Sequence, residues 1–302
     1  KHVVVIGSGP GGLEAARVAA ERGHRVSLYE RNGHLGGALV MASTVHEENQ
    51  SFLEYLLREV KRLPVEVHLR KELNAADVKA LAPDAVVVAT GGRVVAPKIT
   101  GDDLPHVRTG SEMRELLAGK VTAESAAKLP AWQRAAAKLL GGPVQPWMQP
   151  NVLRRATRFF MPLGKRIVII GADLAAIELA EFLAARGRHV SVLETGEQIA
   201  PEVGMKRRDE HMMSLDRAKI AVNVGVCIDQ IKREGVVLLL KSGGTHVVRA
   251  DNVILAGEVE ADTTLFDQLQ DQLPEVHAVG DCTGLGLIRK AALEGAQVAN
   301  AL

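Results

Sequence analysis

An internal duplication constrains this chain more than any other feature. A β-branched run, HVVVIG at 2–7, enters a glycine turn, a helix of small residues over 9–23 and a second run, RVSLYE, at 25–30. The same succession returns as RIVIIG at 166–171, a helix over 173–187 and HVSVLE at 189–194. Gly7 to Glu30 is 23 positions and Gly171 to Glu194 is again 23, with RGHRVSLYE set against RGRHVSVLE. Chance does not keep such a spacing, so the chain carries two βαβ units of parallel-sheet type. Each is followed by an apolar strand entering a loop, DAVVVATGG at 84–92 and DNVILAGEV at 251–259, which makes both halves doubly wound. A last strand, VHAVG at 276–280, leads through DCTGLGLI into a helix, RKAALEGAQVANAL.

The first turn reads GSGPGG at 7–12 and sets Gly7, Gly9 and Gly12 in G-x-G-x-x-G spacing. The first glycine makes the tight turn, the second removes the side chain that would hold phosphates away, and the third lets the helix lie close on the strand. The helix N-terminus then offers free N–H groups and partial positive charge to a pyrophosphate. Pro10 and Gly11 complete the turn, and Glu30, with Arg31 beside it, ends the next strand where a carboxylate accepts from ribose hydroxyls. Glu30 disfavours a 2′-phosphate, and so NADP, while NAD and FAD both remain. Two features favour FAD: HLGG at 34–37, with Gly36 and Gly37, and VGDC at 279–282, where Gly280 precedes Asp281 at a strand end, placed to accept from a ribityl hydroxyl that NAD lacks. Ala89, Thr90 and Gly91, in the loop after DAVVV, join the expected cofactor-binding set.

The second turn departs from this pattern. Gly171 is followed by Asp173 at the second glycine's place and Ala176 at the third. Alanine is tolerated there, but Asp173 adds a Cβ and a carboxylate where phosphate approaches. It also suits an N-cap for the following helix. NAD(H) binding at this second site is therefore expected to be weakened, with Glu194 favouring NAD over NADP. The expected fold is α/β: two doubly wound Rossmann-like dinucleotide-binding domains, the second inserted in the first. Residues 1–105 and 265–302 form the FAD-binding domain and 164–264 the NAD(H)-binding-like domain. Between them, 106–163 reads as a helical connector, rich in Ala and Arg and broken by Pro130, Pro143, Pro146, Pro150 and Pro162.

The whole chain fits this reading. Its 302 residues suffice for about two domains, at ~150 residues each. Lys plus Arg number 37 and Asp plus Glu 36, so no field of one sign draws in nucleic acid or a membrane surface. Cys227 and Cys282 are the only cysteines, too few for a four-cysteine cluster within the chain, and they read as small packed residues rather than a redox dithiol. A cytoplasmic home is expected, with no membrane span. The strand beginning directly after Lys1 suggests a chain cut from something longer, or one processed at its N-terminus.

GSGPGG, Glu30, LGG, ATGG, a second nucleotide unit inserted between them, and a closing VGDC with its helix resemble the two-dinucleotide-binding flavoproteins of glutathione-reductase type. More narrowly, the order and the closing EGAQVANAL look like the C-terminal region of the old-yellow-enzyme-related 2,4-dienoyl-CoA reductase and trimethylamine dehydrogenase group. In that group a flavin-bearing barrel and an iron–sulfur cluster precede this region. The resemblance implies an FAD module that takes hydride from NAD(P)H and passes electrons to a partner subunit or to such an N-terminal barrel, with no catalytic acid or base of its own. Two rivals stand beside it: a self-standing NADH-dependent reductase of a soluble acceptor such as ferredoxin or a quinone, and a structural subunit whose nucleotide is not redox-active, as the ADP of trimethylamine dehydrogenase suggests.

Weaker signals have plain readings. Trp132, Trp147, Phe159 and Phe160, with Arg154, Arg155 and Arg158, read as connector packing with solvated arginines before they read as a docking surface. His24, His46, His189 and His211 show no metal-ligand spacing and read as surface or strand-end residues, and Glu47-Glu48 and Lys206-Arg207-Arg208 as solvated faces.

Overall fold

The computed structural model describes residues 1–117, 149–159 and 161–302. Two compact units divide the chain, Lys1–Val94 with Val259–Leu302, and Val95–Glu258. Elements are numbered over the described residues.

The first unit opens with β1 (His2–Ile6), α1 (Pro10–Glu21), β2 (Arg25–Glu30), α2 (Ala38–Val45), α3 (Gln50–Arg62), β3 (Val65–Leu69), α4 (Ala75–Ala80) and β4 (Ala85–Val88), and the chain leaves along β5 (Arg93–Val95). The second holds β6 (Val107–Thr109), α5 (Gly110–Leu117), α6 (Pro150–Phe159), β7 (Arg166–Ile170), α7 (Leu174–Ala184), β8 (His189–Leu193), α8 (Met205–Arg217), β9 (Ala221–Asn223), β10 (Cys227–Lys232), β11 (Gly235–Leu239), β12 (Thr245–Arg249) and β13 (Asn252–Leu255). The chain returns through β14 (Glu258–Glu260), α9 (Thr264–Leu269), β15 (Val276–Ala278) and α10 (Leu287–Ala301).

The first unit's sheet is parallel throughout, in the order β15-β4-β1-β2-β3. Its inner strands are unbroken apolar runs because both faces are covered: Val3, Val4 and Val5 are fully buried, as are Val86, Val87 and Val88. Leu13 on α1, Leu28 on β2 and Leu56 on α3 close one face, each burial contributing roughly 1.5–3 kcal/mol. The small residues of α1 admit α10 at close range, and a Cβ at Gly295 would lie 2.3 Å from the Gly11 carbonyl oxygen.

The second unit repeats the plan with a parallel sheet, β6-β13-β7-β8-β9, and adds an antiparallel sheet, β10-β11-β12. Part of the stretch read as connector belongs to this unit. β6 pairs with β13 through Val107 and Val253, and Val107 and Met113 are buried. Three strand residues, VRT, are too few to show a period, which hid β6 in the sequence. On α6, Leu153 and Thr157 are buried, whereas Phe159 is 93% exposed. Trp132, Trp147, Phe160, Pro130, Pro143 and Pro146 lie outside the described residues. Cys282 is buried, but Cys227, read as a packed residue, is exposed at the start of the half-exposed β10. No helix among the described residues is long and apolar enough to cross a membrane.

Candidate functional site

β1 ends at Ile6 and the chain turns at Gly7, whose φ of +100° suits glycine; a Cβ there would also stand 2.3 Å from the Ala89 carbonyl oxygen. The Gly7 N–H donates to the Tyr29 carbonyl and the Ala89 N–H to the Ile6 carbonyl, both at 2.8 Å, fixing the turn between β2 and β4. At Gly12 a Cβ would lie 1.9 Å from the Gly7 carbonyl oxygen. Gly9 is different: its φ is an ordinary −67°, and a Cβ on it would meet nothing within 4 Å. The chain itself therefore demands Gly7 and Gly12 but not Gly9. Its missing side chain leaves open space at the N-terminus of α1, which has no side-chain cap and no acidic residue in its first turn.

Other expected residues gather at this turn. The Gly36 N–H donates to the Ser8 carbonyl at 2.9 Å, and a Cβ on Gly37 would come 2.9 Å from the Gly9 Cα. Thr90 and Gly91 follow Ala89 directly, and the backbone nitrogen of Thr90 lies 3.2 Å from a Cβ built on Gly7. Glu30 is only 5% exposed. Its Oε2 accepts from the Ser8 N–H (3.0 Å) and hydroxyl (2.6 Å), and its Oε1 from the N–H and Nδ2 of Asn32 (both 2.7 Å). Burial pushes this carboxyl up, but the hydrogen bonds from Ser8 and Asn32 outweigh it and hold it below the usual carboxylate range. Read in sequence as a ribose acceptor, Glu30 thus also pins the turn; Ser8 Oγ and Asn32 Nδ2 are the donors a ligand hydroxyl can replace. Arg31 stands apart, exposed and 3.6 Å from Glu72.

At the end of β15, Gly280 (φ +78°) donates its N–H to Glu294 Oε2 at 2.7 Å. The next residue, Asp281, has a buried Oδ1 with no hydrogen-bond partner among the described residues. Burial pushes its carboxyl up, with the Gly286 backbone and the Lys290 ammonium pulling it down. Lys290 is held by the Gly284 carbonyl (2.5 Å) and the Thr283 hydroxyl (2.8 Å). An acceptor left in this state costs roughly 1–3 kcal/mol, so the oxygen suits a donor from a ligand. An open Gly9, an uncapped helix and an orphaned acceptor after β15, two strands from β1 in the same sheet, fit a dinucleotide with a hydroxyl-bearing chain.

The second turn has the same frame. Gly171 (φ +101°) donates to the Leu193 carbonyl and the Ala256 N–H to the Ile170 carbonyl, both at 2.8 Å. Glu194 Oε2 accepts from the Ala172 N–H at 2.7 Å, as Glu30 does from Ser8. The helix start differs. Asp173 is the N-cap of α7 and accepts from the Ala176 N–H at 2.8 Å, while Glu202 Oε1 accepts from the Leu174 N–H at 2.5 Å. Burial pushes the Asp173 carboxyl up, Glu202 and Glu194 add to this, and Arg114 opposes them.

Sequence reasoning singled out none of Ser8, Glu294, Glu202 and Arg114 by role. Ser8 lay inside the glycine motif and Glu294 opened the closing EGAQVANAL stretch, whereas Glu202 and Arg114 lay in no motif. One plain reading needs correction. His211 is buried, 3.3 Å from Glu181, because it lies on the face of α8 that packs inward. In the basic run of α8, Lys206 and Arg207 are exposed; Arg207 also lies 3.3 Å from Glu178, and the half-buried Arg208 donates to Gln198 at 2.7 Å.

Two parallel sheets, each carrying a glycine turn between its first strand and helix, define an α/β protein of the two-dinucleotide-binding class. The chain belongs to the pyridine nucleotide-disulphide oxidoreductase family, whose model matches residues 1–301. It is 30% identical over 302 residues to an NADH oxidase of Thermoanaerobacter brockii, covering 99% of this chain and 40% of the relative. It is 33% identical over 307 residues to a bilirubin reductase of Mediterraneibacter gnavus, covering 100% of this chain and 41% of the relative. Among solved structures, a 2-naphthoyl-CoA reductase in complex with 2-naphthoyl-CoA superposes with a TM-score of 0.77 at 27% identity, over 99% of this chain and 39% of that one. The likeness to the old-yellow-enzyme-related group holds, the family is FAD-dependent, and its cofactors are FAD and NAD(H). The chain spans about two-fifths of the length of these relatives.

Proposed function

We propose that this chain is the FAD- and NAD(H)-binding part of a larger oxidoreductase, moving electrons between NADH and a partner flavin or iron–sulfur centre of the enoyl- or dienoyl-CoA reductase or amine dehydrogenase type. The observation that carries the reading is the orphaned Oδ1 of Asp281 in the same unit and sheet as a glycine turn kept open at Gly9. In this reading the N–H groups at the start of α1 hold the pyrophosphate, Gly9 admits it, Glu30 orients the adenosine ribose and repels a 2′-phosphate, and Asp281 accepts from the ribityl chain. Bound FAD supplies hydride acceptance and electron relay. The protein's task is alignment and exclusion of water, which needs no acid or base. The two cysteines do not suffice for a four-thiolate cluster, so an iron–sulfur centre belongs to a partner domain or subunit. Two free thiols, Cys227 and Cys282, suit a reducing cytoplasm.

A second reading is favoured by one observation, the carboxylate of Asp173 on the helix start of the second unit: NAD(H) binds weakly there, and the relay runs through the partner. Flavin absorbance tests the main reading. The purified protein should be yellow, and Gly9→Ala should fold with unchanged stability, since its methyl meets no protein atom, yet lose at least nine-tenths of its flavin. A protein that takes up no FAD, or a Gly9→Ala variant as yellow as its parent, sinks the assignment. Bleaching by NADH alone marks a self-standing reductase, and bleaching only through a partner marks a relay module.

A further inference from the structure

We propose that Glu202 is an internal ligand of the second unit's phosphate cradle, and that NAD(H) reaches that cradle only by displacing it; this rests on the reading of the unit as a dinucleotide-binding one. The two turns correspond residue by residue at a constant offset of 164: Gly7 with Gly171, Ser8 with Ala172, Gly9 with Asp173, Pro10 with Leu174, Glu30 with Glu194 and Gly36 with Ala200. The hydrogen bonds keep the same register. The Ser8 carbonyl accepts from Gly36 at 2.9 Å, and the Ala172 carbonyl accepts from Ala200 at 2.6 Å. The alignment continues to Ala38, the first residue of α2, whose counterpart is Glu202.

Two changes therefore occur together. Where the first turn has Pro10, which carries no N–H, the second has Leu174 and an extra donor. Where the first unit has the short Ala38, the second has a carboxylate that sits on that donor at 2.5 Å. With Asp173 on the Ala176 N–H and Glu194 on the Ala172 N–H, three donors of the turn and first helical turn are taken by three carboxylates. In the first unit the counterpart of Ala172 is Ser8, whose N–H goes to Glu30, but no side chain caps α1.

Glu202 is held in place rather than hanging from a free loop. Arg208 donates to Gln198 Oε1 at 2.7 Å and to the carbonyls of Pro201 at 3.4 Å and Val203 at 3.3 Å, on either side of it. A pyrophosphate needs the same N–H groups and brings negative charge toward the three carboxylates that already occupy them. Restoring glycine at 173 leaves Glu202 on Leu174, so that change alone does not reopen the cradle.

The test titrates ADP-ribose, a pyrophosphate probe without nicotinamide, into the flavin-loaded full chain by calorimetry. The variants are Asp173→Gly, Glu202→Ala, Glu202→Gln and the double Asp173→Gly/Glu202→Ala. Glu202→Gln keeps an oxygen for the Leu174 N–H while removing the charge, so it separates loss of repulsion from loss of a helix cap. The expected result is at least tenfold tighter binding for Glu202→Ala, a smaller gain for Glu202→Gln and at least a hundredfold gain for the double variant. The proposal is overturned if Asp173→Gly alone binds as tightly as the double variant, if the parent does, or if folded Glu202→Gln and Glu202→Ala bind no tighter than the parent. Flavin absorbance on the same samples reads the first unit: a parent that holds no flavin defeats the functional reading, while unchanged ADP-ribose affinity with flavin in place defeats only the role of Glu202.

Discussion

Replacing Glu30 by glutamine tests whether this carboxylate holds the first turn. It accepts four hydrogen bonds, two on each oxygen, from Ser8 and Asn32, at 5% exposure. An amide keeps one acceptor and turns the other into a donor, so two of the four N–H or O–H groups face an NH2. Each buried donor left unsatisfied costs roughly 1–3 kcal/mol; because half-buried Asn32 can flip its own amide or take up water, the expected loss is about 2–4 kcal/mol. Denaturant unfolding followed by circular dichroism measures it as a lowered midpoint with an unchanged slope. The pH dependence supplies the sign. Burial raises this carboxyl, but the hydrogen bonds prevail and place it below its unfolded value. Its stabilisation is therefore complete above the unfolded carboxylate value of roughly 4.3 and drains away as pH falls through the folded one. Parent and Glu30→Gln should differ fully at pH 7 and converge only as pH falls through the folded value, which lies below the unfolded one. A gap under about 0.5 kcal/mol at pH 7, or one that stays constant into acid, would refute the reasoning.

Two more substitutions separate folding from binding. Gly295→Ala places a Cβ 2.3 Å from the Gly11 carbonyl oxygen and should push α10 off α1, costing about 1–3 kcal/mol; an unchanged Tm would show that the helices yield without strain. Asp281→Asn removes a buried charge whose carboxyl is already pushed up by burial, so the flavin-free protein should be as stable as its parent at pH 7 or more so, while flavin retention on dialysis falls several-fold. Because that carboxyl is raised, the parent should gain relative to Asp281→Asn as the solution is acidified toward the unfolded aspartate value of roughly 3.9, and thermal melts from pH 7 downward check this.

The parallel strands were legible because each inner strand, buried on both faces, spells itself as an unbroken run such as VVVI or AVVV. The turns were legible because a positive φ and a close approach leave glycine as the fitting residue at Gly7, Gly12 and Gly171. The antiparallel sheet was not. The register of β10 against β11 slips between Ile228 and Gln230, so the alternation that marks a half-buried strand is broken where it should be read. At the site, the missed residues reach across the chain: Glu294 bonds 14 residues back to Gly280, and Glu202 bonds 28 residues back to Leu174. Neither distance has a period, and an acidic residue in a loop or on a helix reads as solvated until the fold brings a donor to it.

The two halves also show where stability and binding part company. Both keep the frame that folding needs: a turn at positive φ, a carboxylate from the second strand on the residue after the glycine, and a bond from the next apolar strand. A helix start gains about 0.5–2 kcal/mol from an Asp N-cap, and the second unit takes that gain through Asp173, with Glu202 on the next N–H. The first unit forgoes it, keeping Gly9 where a Cβ would meet nothing within 4 Å and where a cap would stabilise α1. Packing gives no reason for that omission; the proposed function supplies one, a pyrophosphate resting on the same N–H groups. On the same proposal the second unit exchanges affinity for a capped helix, and the difference between the two lies at three positions: Gly9 against Asp173, Pro10 against Leu174 and Ala38 against Glu202.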